Sequence, residues 1–304
     1  MNRSVLIVDR FHSGARELRA HFDARFGQGT GADRASEGRF IWDYWEVPDQ
    51  YRLLRTPAYH FFPKKAYEAF HRKLVLWGRE HLGCHDISPP WLSCYVEGCG
   101  QELHGDLPHG PWAFVYSLTP WERRRFRGGE TMMLKDEILS YWEGFKSGRG
   151  LEHEGIFRKI PPRFDRLTVF DPRVPHGVKR LEGGVHDVRQ GRLVIHGWFV
   201  QPRPFIEGSL APRSVQSAID GVSEELGRLL DSGAEANGVL SLRFGVSRSG
   251  AVTGLKLLSN TLRSGREGDA RALVSVVMRE LRLARFGKQR GTSRVTLPLI
   301  FETR

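Results

Sequence analysis

Residues 95–118 read YVEGCGQELHGDLPHGPWAFVYSL. Within them His104 and Asp106 stand two apart, and on an extended strand positions i and i+2 project to one face. An imidazole and a carboxylate converging there can fill two adjacent positions on one metal ion, and Gly105 removes side-chain bulk between them. Taken alone, His-x-Asp is a short pattern that recurs by chance. Two later stretches give it weight. FDPRVPHGVKRLEGG (170–184) carries His176, and GRLVIHGWF (191–199) opens on Arg192, sixteen residues further on. That spacing predicts two antiparallel strands joined through Gly183 and Gly184, with Arg192 beside His176 in one pocket.

Around these stretches the chain changes character three times. Up to residue 90 it reads as mixed structure: a first strand VLIV, a helix over about 13–26 with Leu18, Phe22 and Phe26 on one face, a Gly-rich loop at 27–38, extended segments, and a helix over about 64–81 with Phe70, Leu74 and Trp77 at helical spacing. From Trp91 to about Gln201 come short β-rich runs bounded by Gly, Pro and Asp: WLSCYVE, WAFVYSL, ETMML, RLTVF, GVKRL and RLVIHGWFV. Such a series predicts a sandwich or barrel. The Pro-rich QPRPFIEGSLAPRS marks a boundary near 202–213. Beyond it lie a helix over about 214–232, the strand VLSLRFGV, a Ser249-Gly250 turn, AVTGLKLLS, a helix over about 269–285, and RVTLPLIF. Leu240, Leu242 and Phe244 alternate with polar neighbours, which argues for a half-buried sheet.

Two histidines and one carboxylate on one face of an octahedral iron leave three positions open. Two of them suit a bidentate 2-oxo acid and one suits dioxygen. Arg192 offers a permanently charged fork for the distal carboxylate of that acid. At these residues the chain resembles the iron(II)/2-oxoglutarate-dependent dioxygenases, in their prolyl 4-hydroxylase-like branch. The matching features run in order: Tyr95-x-x-Gly98 before His104-x-Asp106, Tyr116, Gly128-Gly129-Glu130-Thr131, His176, then Gly191-Arg192 with Trp198-Phe199. The resemblance covers about residues 1–203. It implies a double-stranded β-helix (jelly-roll) with Fe(2+) held by His104, Asp106 and His176, and 2-oxoglutarate and O2 as co-substrates. It also implies that Tyr95 and Tyr116 line the co-substrate pocket beside Arg192. His196 and Trp198 share the strand face of Arg192 and are candidates to touch substrate. Val194 departs from the family pattern, where a Ser or Thr often stands, and leaves open what hydroxyl accompanies Arg192. Asp106 favours hydroxylation over halogenation, because related halogenases lack a carboxylate at this position. His109 could complete a local His-x-Asp-x-x-His set, but Pro108 and Gly110-Pro111 predict a turn that aims it away. His60, His85, His153 and His186 lack partner spacing.

The expected fold is therefore mostly β with flanking helices: a dioxygenase domain over 1–205 with its jelly-roll core at about 91–201, a linker and helix over 206–235, and a small α+β domain over 236–304. The last run resembles the TonB C-terminal fold at the level of pattern. The membrane helix of that family is absent here, so its energy-transducing role does not carry over. An exposed sheet edge could pair with a protein partner or a second copy of this chain.

The chain has 304 residues, 40% hydrophobic and 27% charged, and a formal charge of +11. The excess is spread along the sequence, about +6 before residue 206 and +5 after it. The short cluster of Arg123, Arg124, Arg125 and Arg127 does not make a phosphate-binding stripe, and a nucleic-acid partner is not expected. Cys84, Cys94 and Cys99 form no C-x-x-C pair, so reduced thiols and neither disulfide nor zinc are expected. Without a secretory signal or an apolar run of membrane-spanning length, the expected compartment is the cytoplasm. The expected activity is hydroxylation of an aliphatic C–H, with release of succinate and CO2. The favoured substrate is a peptide or protein side chain such as proline; a small-molecule or natural-product hydroxylase is the alternative. A non-catalytic barrel that binds oxo acids and docks partners through its C-terminal domain is the reading from a different class.

Overall fold

A computed structural model describes residues 4–26, 43–48, 50–106, 109–135, 154–266 and 268–302. The loop expected at 27–38 and the His153 position lie outside the described residues. In chain order the elements are β1 (Val5–Asp9), α1 (Ala15–Phe26), β2 (Asp43–Val47), β3 (Tyr51–Pro57), α2 (Ala58–Phe61), α3 (Lys64–His81), β4 (Cys84–Ile87), β5 (Trp91–Tyr95), β6 (Gly100–His104), β7 (Trp112–Ser117) and β8 (Thr131–Leu134). There follow β9 (Phe157–Ile160), β10 (Arg166–Phe170), β11 (His176–Val178), β12 (Arg192–Pro202), β13 (Phe205–Gly208), α4 (Pro212–Asp231), β14 (Gly238–Val246), β15 (Val252–Asn260), α5 (Asp269–Leu283) and β16 (Ser293–Phe301). Among the described residues no helix is long and apolar enough to cross a membrane.

The chain divides into two compact units. Val5–Lys73 with Ile87–Trp198 make one, and Leu74–Asp86 with the residues from Phe199 onward make the other.

The first unit is built on a curled antiparallel sheet in the order β1-β10-β7-β12-β5-β3-β6-β11-β8-β9, with β2 added to β3. Two four-strand ladders lie within it, β10-β7-β12-β5 and β6-β11-β8-β9. Each alternates a strand from β5–β8 with one from β9–β12, which is the connectivity of a double-stranded β-helix. The jelly-roll expectation holds. Side chains alternate across β12: Leu193 and Ile195 are fully buried on one face, while Arg192, Val194 and His196 turn to the barrel interior. Leu18 and Phe22 of α1 and Phe70 of α3 are buried, so the apolar helical faces read from spacing are the packed ones.

One expectation about pairing fails. β11 and β12 are not neighbours: β11 lies between β6 and β8, and β12 between β7 and β5. Arg192 and His176 therefore face each other from different ladders. The segment through Gly183 and Gly184 is a crossover between ladders and not a hairpin, because the strands it joins take their hydrogen bonds from elsewhere.

The second unit carries a four-stranded antiparallel sheet, β13-β16-β14-β15. Leu240, Leu242, Phe244 and Val246 line one face of β14 and pack with Leu273, Val277 and Leu281 of α5 and Val222 and Leu226 of α4. The four-residue intervals put those helical residues on single faces. The opposite face of β14 carries Ser241 and Arg243. Ser241 Oγ donates to the Leu82 carbonyl (3.0 Å), Thr296 Oγ1 donates to the Glu80 carbonyl (2.9 Å), and Arg243 donates to that same carbonyl. These carbonyls close the end of α3, where the helix has no partners of its own to offer. The expected strand–turn–strand–helix–strand order is present as a small α+β unit. β13 joins it as a fourth strand from what reads in sequence as linker.

Candidate metal centre and its cavity

His104 ends β6, His176 begins β11, and the two residues are directly paired across the ladder. Asp106 lies two residues past the end of β6, so it reaches the site from a loop and not from the strand expected for it. Its backbone N–H donates to the Pro172 carbonyl (2.9 Å). The segment Asp171–Pro175 thus anchors both sides: Pro172 holds Asp106, and the Val174 carbonyl accepts from His176 Nδ1 (2.9 Å). Asp171 is itself buried and gripped by the Arg173 side chain at 2.6 and 2.9 Å. Gly177 permits the close pairing. A Cβ there would stand 2.5 Å from the Gln101 carbonyl oxygen and 2.9 Å from that of Glu102.

One ligand atom from each of His104, Asp106 and His176 lies within 4.8 Å of the other two. His176 Nε2 is 3.3 Å from Asp106 Oδ2, and His104 Nε2 is 3.7 Å from Asp106 Oδ1. His104 Nδ1 faces the Glu102 carbonyl at 2.8 Å. A carbonyl can only accept, so both Nδ1 atoms carry the proton and both Nε2 atoms present lone pairs. Two lone pairs and a carboxylate converging on one point repel each other unless a cation stands between them. The residues fit a metal of borderline character, and two imidazoles with one carboxylate are a donor set suited to non-haem Fe(II).

Electrostatics agree. Burial, helped by the neighbouring His176, lowers the His104 pKa and keeps its imidazole neutral, the form that ligates. Burial alone would raise the Asp106 carboxyl, but its contacts with His176 and His104 hold it below the usual carboxylate range.

The three ligands open onto a cavity of about 570 Å³. Across it lies Arg192, 1% exposed, its guanidinium 4.5 Å above the Tyr95 ring centroid. Its Nη2 donates to Thr131 Oγ1 at 3.3 Å, while Nε and Nη1 are buried without a hydrogen-bond partner. A buried guanidinium with two uncommitted donors is costly to maintain and implies an anionic ligand that satisfies them. Tyr95 lines the cavity as expected. Its hydroxyl donates to Gln101 Oε1 (3.0 Å), and burial pushes its pKa up to about 12 against the opposing charge of Arg192.

Not every candidate reaches the cavity. Tyr116 is fully buried on the opposite face of β7, stacked near Phe70 and donating to Asp165 Oδ1 (2.9 Å), and its neighbour Val115 lines the cavity in its place. The two-residue period of a strand decides which of the pair turns inward. His196 and Trp198 do line it. His196 Nε2 is 2.8 Å from Ser93 Oγ, and burial, with Arg192 nearby, lowers its pKa to about 4. His109 does not aim away. It stands in the same cavity, 4.4 Å from Trp198 and tilted 32° to it, yet outside the ligand triad.

Two features escaped the reading of the sequence. Thr131 supplies the hydroxyl that Val194 cannot; the Gly128-Gly129-Glu130-Thr131 stretch pointed to it, but only the pairing of β8 with β11 brings it to Arg192. Arg55, with Trp45 and Trp91, also lines the cavity, and nothing local in its Arg-Thr-Pro context signals this.

No family model matches this sequence, and no curated protein matches it. Among solved structures, a prolyl 4-hydroxylase from Pseudomonas putida is 18% identical, with a TM-score of 0.43 over 66% of this chain and 93% of that one. A prolyl hydroxylase from Trichoplax adhaerens, in complex with a hypoxia inducible factor oxygen degradation domain peptide fragment, is 19% identical (TM-score 0.38; 65% of this chain, 84% of that one). HygX from Streptomyces hygroscopicus, with nickel and 2-oxoglutarate bound, is 14% identical (TM-score 0.40; 64% and 82%). At these values no role passes from them to this chain.

Proposed function

We propose that this chain is an iron(II)- and 2-oxoglutarate-dependent dioxygenase that hydroxylates an aliphatic C–H bond. The observation that carries the reading is the opposition of the His104/Asp106/His176 donors to the buried, half-satisfied Arg192 across one cavity. His104, Asp106 and His176 would hold a ferrous ion, which when bound would supply dioxygen activation coupled to decarboxylation of the 2-oxo acid to succinate and CO2. The protein's own residues bind and orient. Arg192 and Thr131 would take the distal carboxylate and so turn the oxo-acid end of the co-substrate toward the triad. The ring of Tyr95 supports the guanidinium from below. Apolar walls such as Val115 and Phe170 keep water from the reacting centre. His196, neutral at physiological pH, offers one hydrogen bond to co-substrate or substrate while Ser93 fixes its orientation.

The sequence resemblance favours a peptide or protein side chain, proline included, as the carbon donor. The aromatic rim of a cavity of this depth favours a small molecule, and that is the second reading. The compartment proposed is the cytoplasm, in keeping with Cys84, Cys94 and Cys99 as buried free thiols. The likeness of residues 236–303 to the TonB C-terminal fold gives that region no function in this proposal beyond a surface on which a partner could dock. Succinate formation from 2-oxoglutarate, Fe(II) and air tests the reaction class. The wild type is expected to turn over slowly without substrate. His176→Ala is expected to lose metal affinity by more than ~100-fold and to lose turnover with its circular dichroism unchanged. Succinate release that survives in the variant overturns the proposal.

A further inference from the structure

Arg55 lies on β3, directly paired with Ser93 of β5, which is in turn paired with Val194 of β12. Directly paired residues of antiparallel strands share a face, so Arg55 belongs to the same interior surface as Arg192 and His196. It stands one row along from Arg192 and two strands over. At ladder spacings that is roughly 10–12 Å between the two Cα atoms. Its guanidinium is sandwiched, with Cζ 2.9 Å from the ring centroid of Trp45 and 4.2 Å from that of Trp91. Trp45 is held in turn by Tyr51, at 4.7 Å between ring centroids. Arg55, Trp45, Trp91 and Tyr51 all line the metal-bearing cavity.

The sandwich restricts what Arg55 can do. Both indole rings lie against the guanidinium, which hydrogen-bonds through its in-plane N–H rim, a fixed fork of five donors. Among the described lining residues the fixed charges are Arg55, Arg192 and Asp106. The oxygenase reading commits Asp106 to the metal and Arg192 to the oxo acid. Arg55 is a second cation on the same wall, held against the rings of Trp45 and Trp91.

We propose that Arg55, clamped between Trp45 and Trp91, receives a carboxylate of the primary substrate, so that the enzyme selects acids and oxidises a carbon set back from that group. This rests on the oxygenase reading. The carboxylate belongs either to a free small acid or to an acidic residue or C-terminus of a peptide, and the planar fork recognises the same chemistry in both.

The test uses the full-length protein, loaded with Fe(II) under anaerobic conditions and saturated with 2-oxoglutarate so that Arg192 is already occupied. Calorimetry then follows binding of matched probes: N-acetylproline against N-acetylprolinamide, and a terminally blocked pentapeptide with a central Asp against its Asn counterpart. The acid of at least one pair is expected to bind about tenfold more tightly than its neutral partner. A preference confined to N-acetylproline identifies the carboxylate of a small acid or a chain terminus; one confined to the Asp peptide identifies an acidic side chain. Arg55→Gln is expected to erase the preference, and Arg55→Lys, which keeps the charge but not the fork, to retain part of it. Equal binding of acid and amide, no binding of any probe, or a preference that survives in Arg55→Gln overturns the proposal. Binding of 2-oxoglutarate is measured beforehand on each protein. Its failure in the wild type refutes the oxygenase reading instead, and its loss in Arg55→Gln would mean that Arg55 serves the co-substrate, which also overturns the proposal.

Discussion

At the scale of a residue, Arg192 sets function against stability. Its guanidinium is 1% exposed and leaves Nε and Nη1 without partners, a state that costs folding energy until an anion arrives. Arg192→Met preserves much of the volume and removes the charge. It is expected to raise stability without ligand by about 1–3 kcal/mol, measured by urea denaturation in the absence of oxo acid. In the wild type, 2-oxoglutarate at a hundred times its Kd should add about 2.7 kcal/mol, and in the variant almost nothing. A variant that is less stable than wild type, or still stabilised by the oxo acid, would show that Arg192 is an ordinary structural arginine. The candidate ligands His104, Asp106 and His176, which the structure brings within 4.8 Å of one another, could be singled out because their context is local: two residues apart, or on a stretch with its own Pro-His-Gly character. Thr131 and Arg55 could not, since each acquires its meaning from the strand beside it.

At the scale of an element, β11 is three residues long and yet positions the site. It inserts between β6 and β8, pairing His176 with His104 on one side and with Met133 on the other. Its pairing with β6 shifts register between His176 and Val178, and Gly177 sits at that irregularity. Because a Cβ at Gly177 would press into two backbone oxygens of β6, Gly177→Ala must push the strands apart where the histidines meet. The expected outcome is a metal affinity reduced by at least ~10-fold with a smaller loss of oxo-acid-independent stability, read by metal titration and thermal melting. Unchanged metal affinity would mean that β6 yields without moving His104. Helices were legible almost to the residue, α3 and α5 above all, since a 3.6-residue apolar repeat is a property of one segment. Strand existence was legible too, apart from short β4, β9 and β13, the last of which reads in sequence as linker. Pairing was not. The expected neighbour relation of the strands bearing His176 and Arg192 was a statement about sequence distance, and a double-stranded β-helix takes its ladders from opposite halves of the chain.

At the scale of the whole molecule, the unit that ends the chain also contains Leu74–Asp86 from its first third. The carbonyls of Glu80 and Leu82 accept from Thr296, Arg243 and Ser241, and Gly83, with φ +73°, leaves room for Pro298, whose ring would lie 2.5 Å from any Cβ there. Cutting the chain after residue 205 leaves Leu82 and Cys84, both almost wholly buried in the intact protein, without that cover. The truncated protein is expected to lose several kcal/mol by the exposure of apolar surface and unpaired carbonyls, or to aggregate, as tested by expression and melting; a shortened chain that melts like the full one would refute this. The arrangement has a temporal side as well. A ribosome delivers Glu80 long before Thr296, so the close of α3 must wait for the last strand to leave the exit tunnel. Nascent chains stalled before residue 293 should therefore be nicked by protease between residues 74 and 86, and chains released after residue 301 should resist.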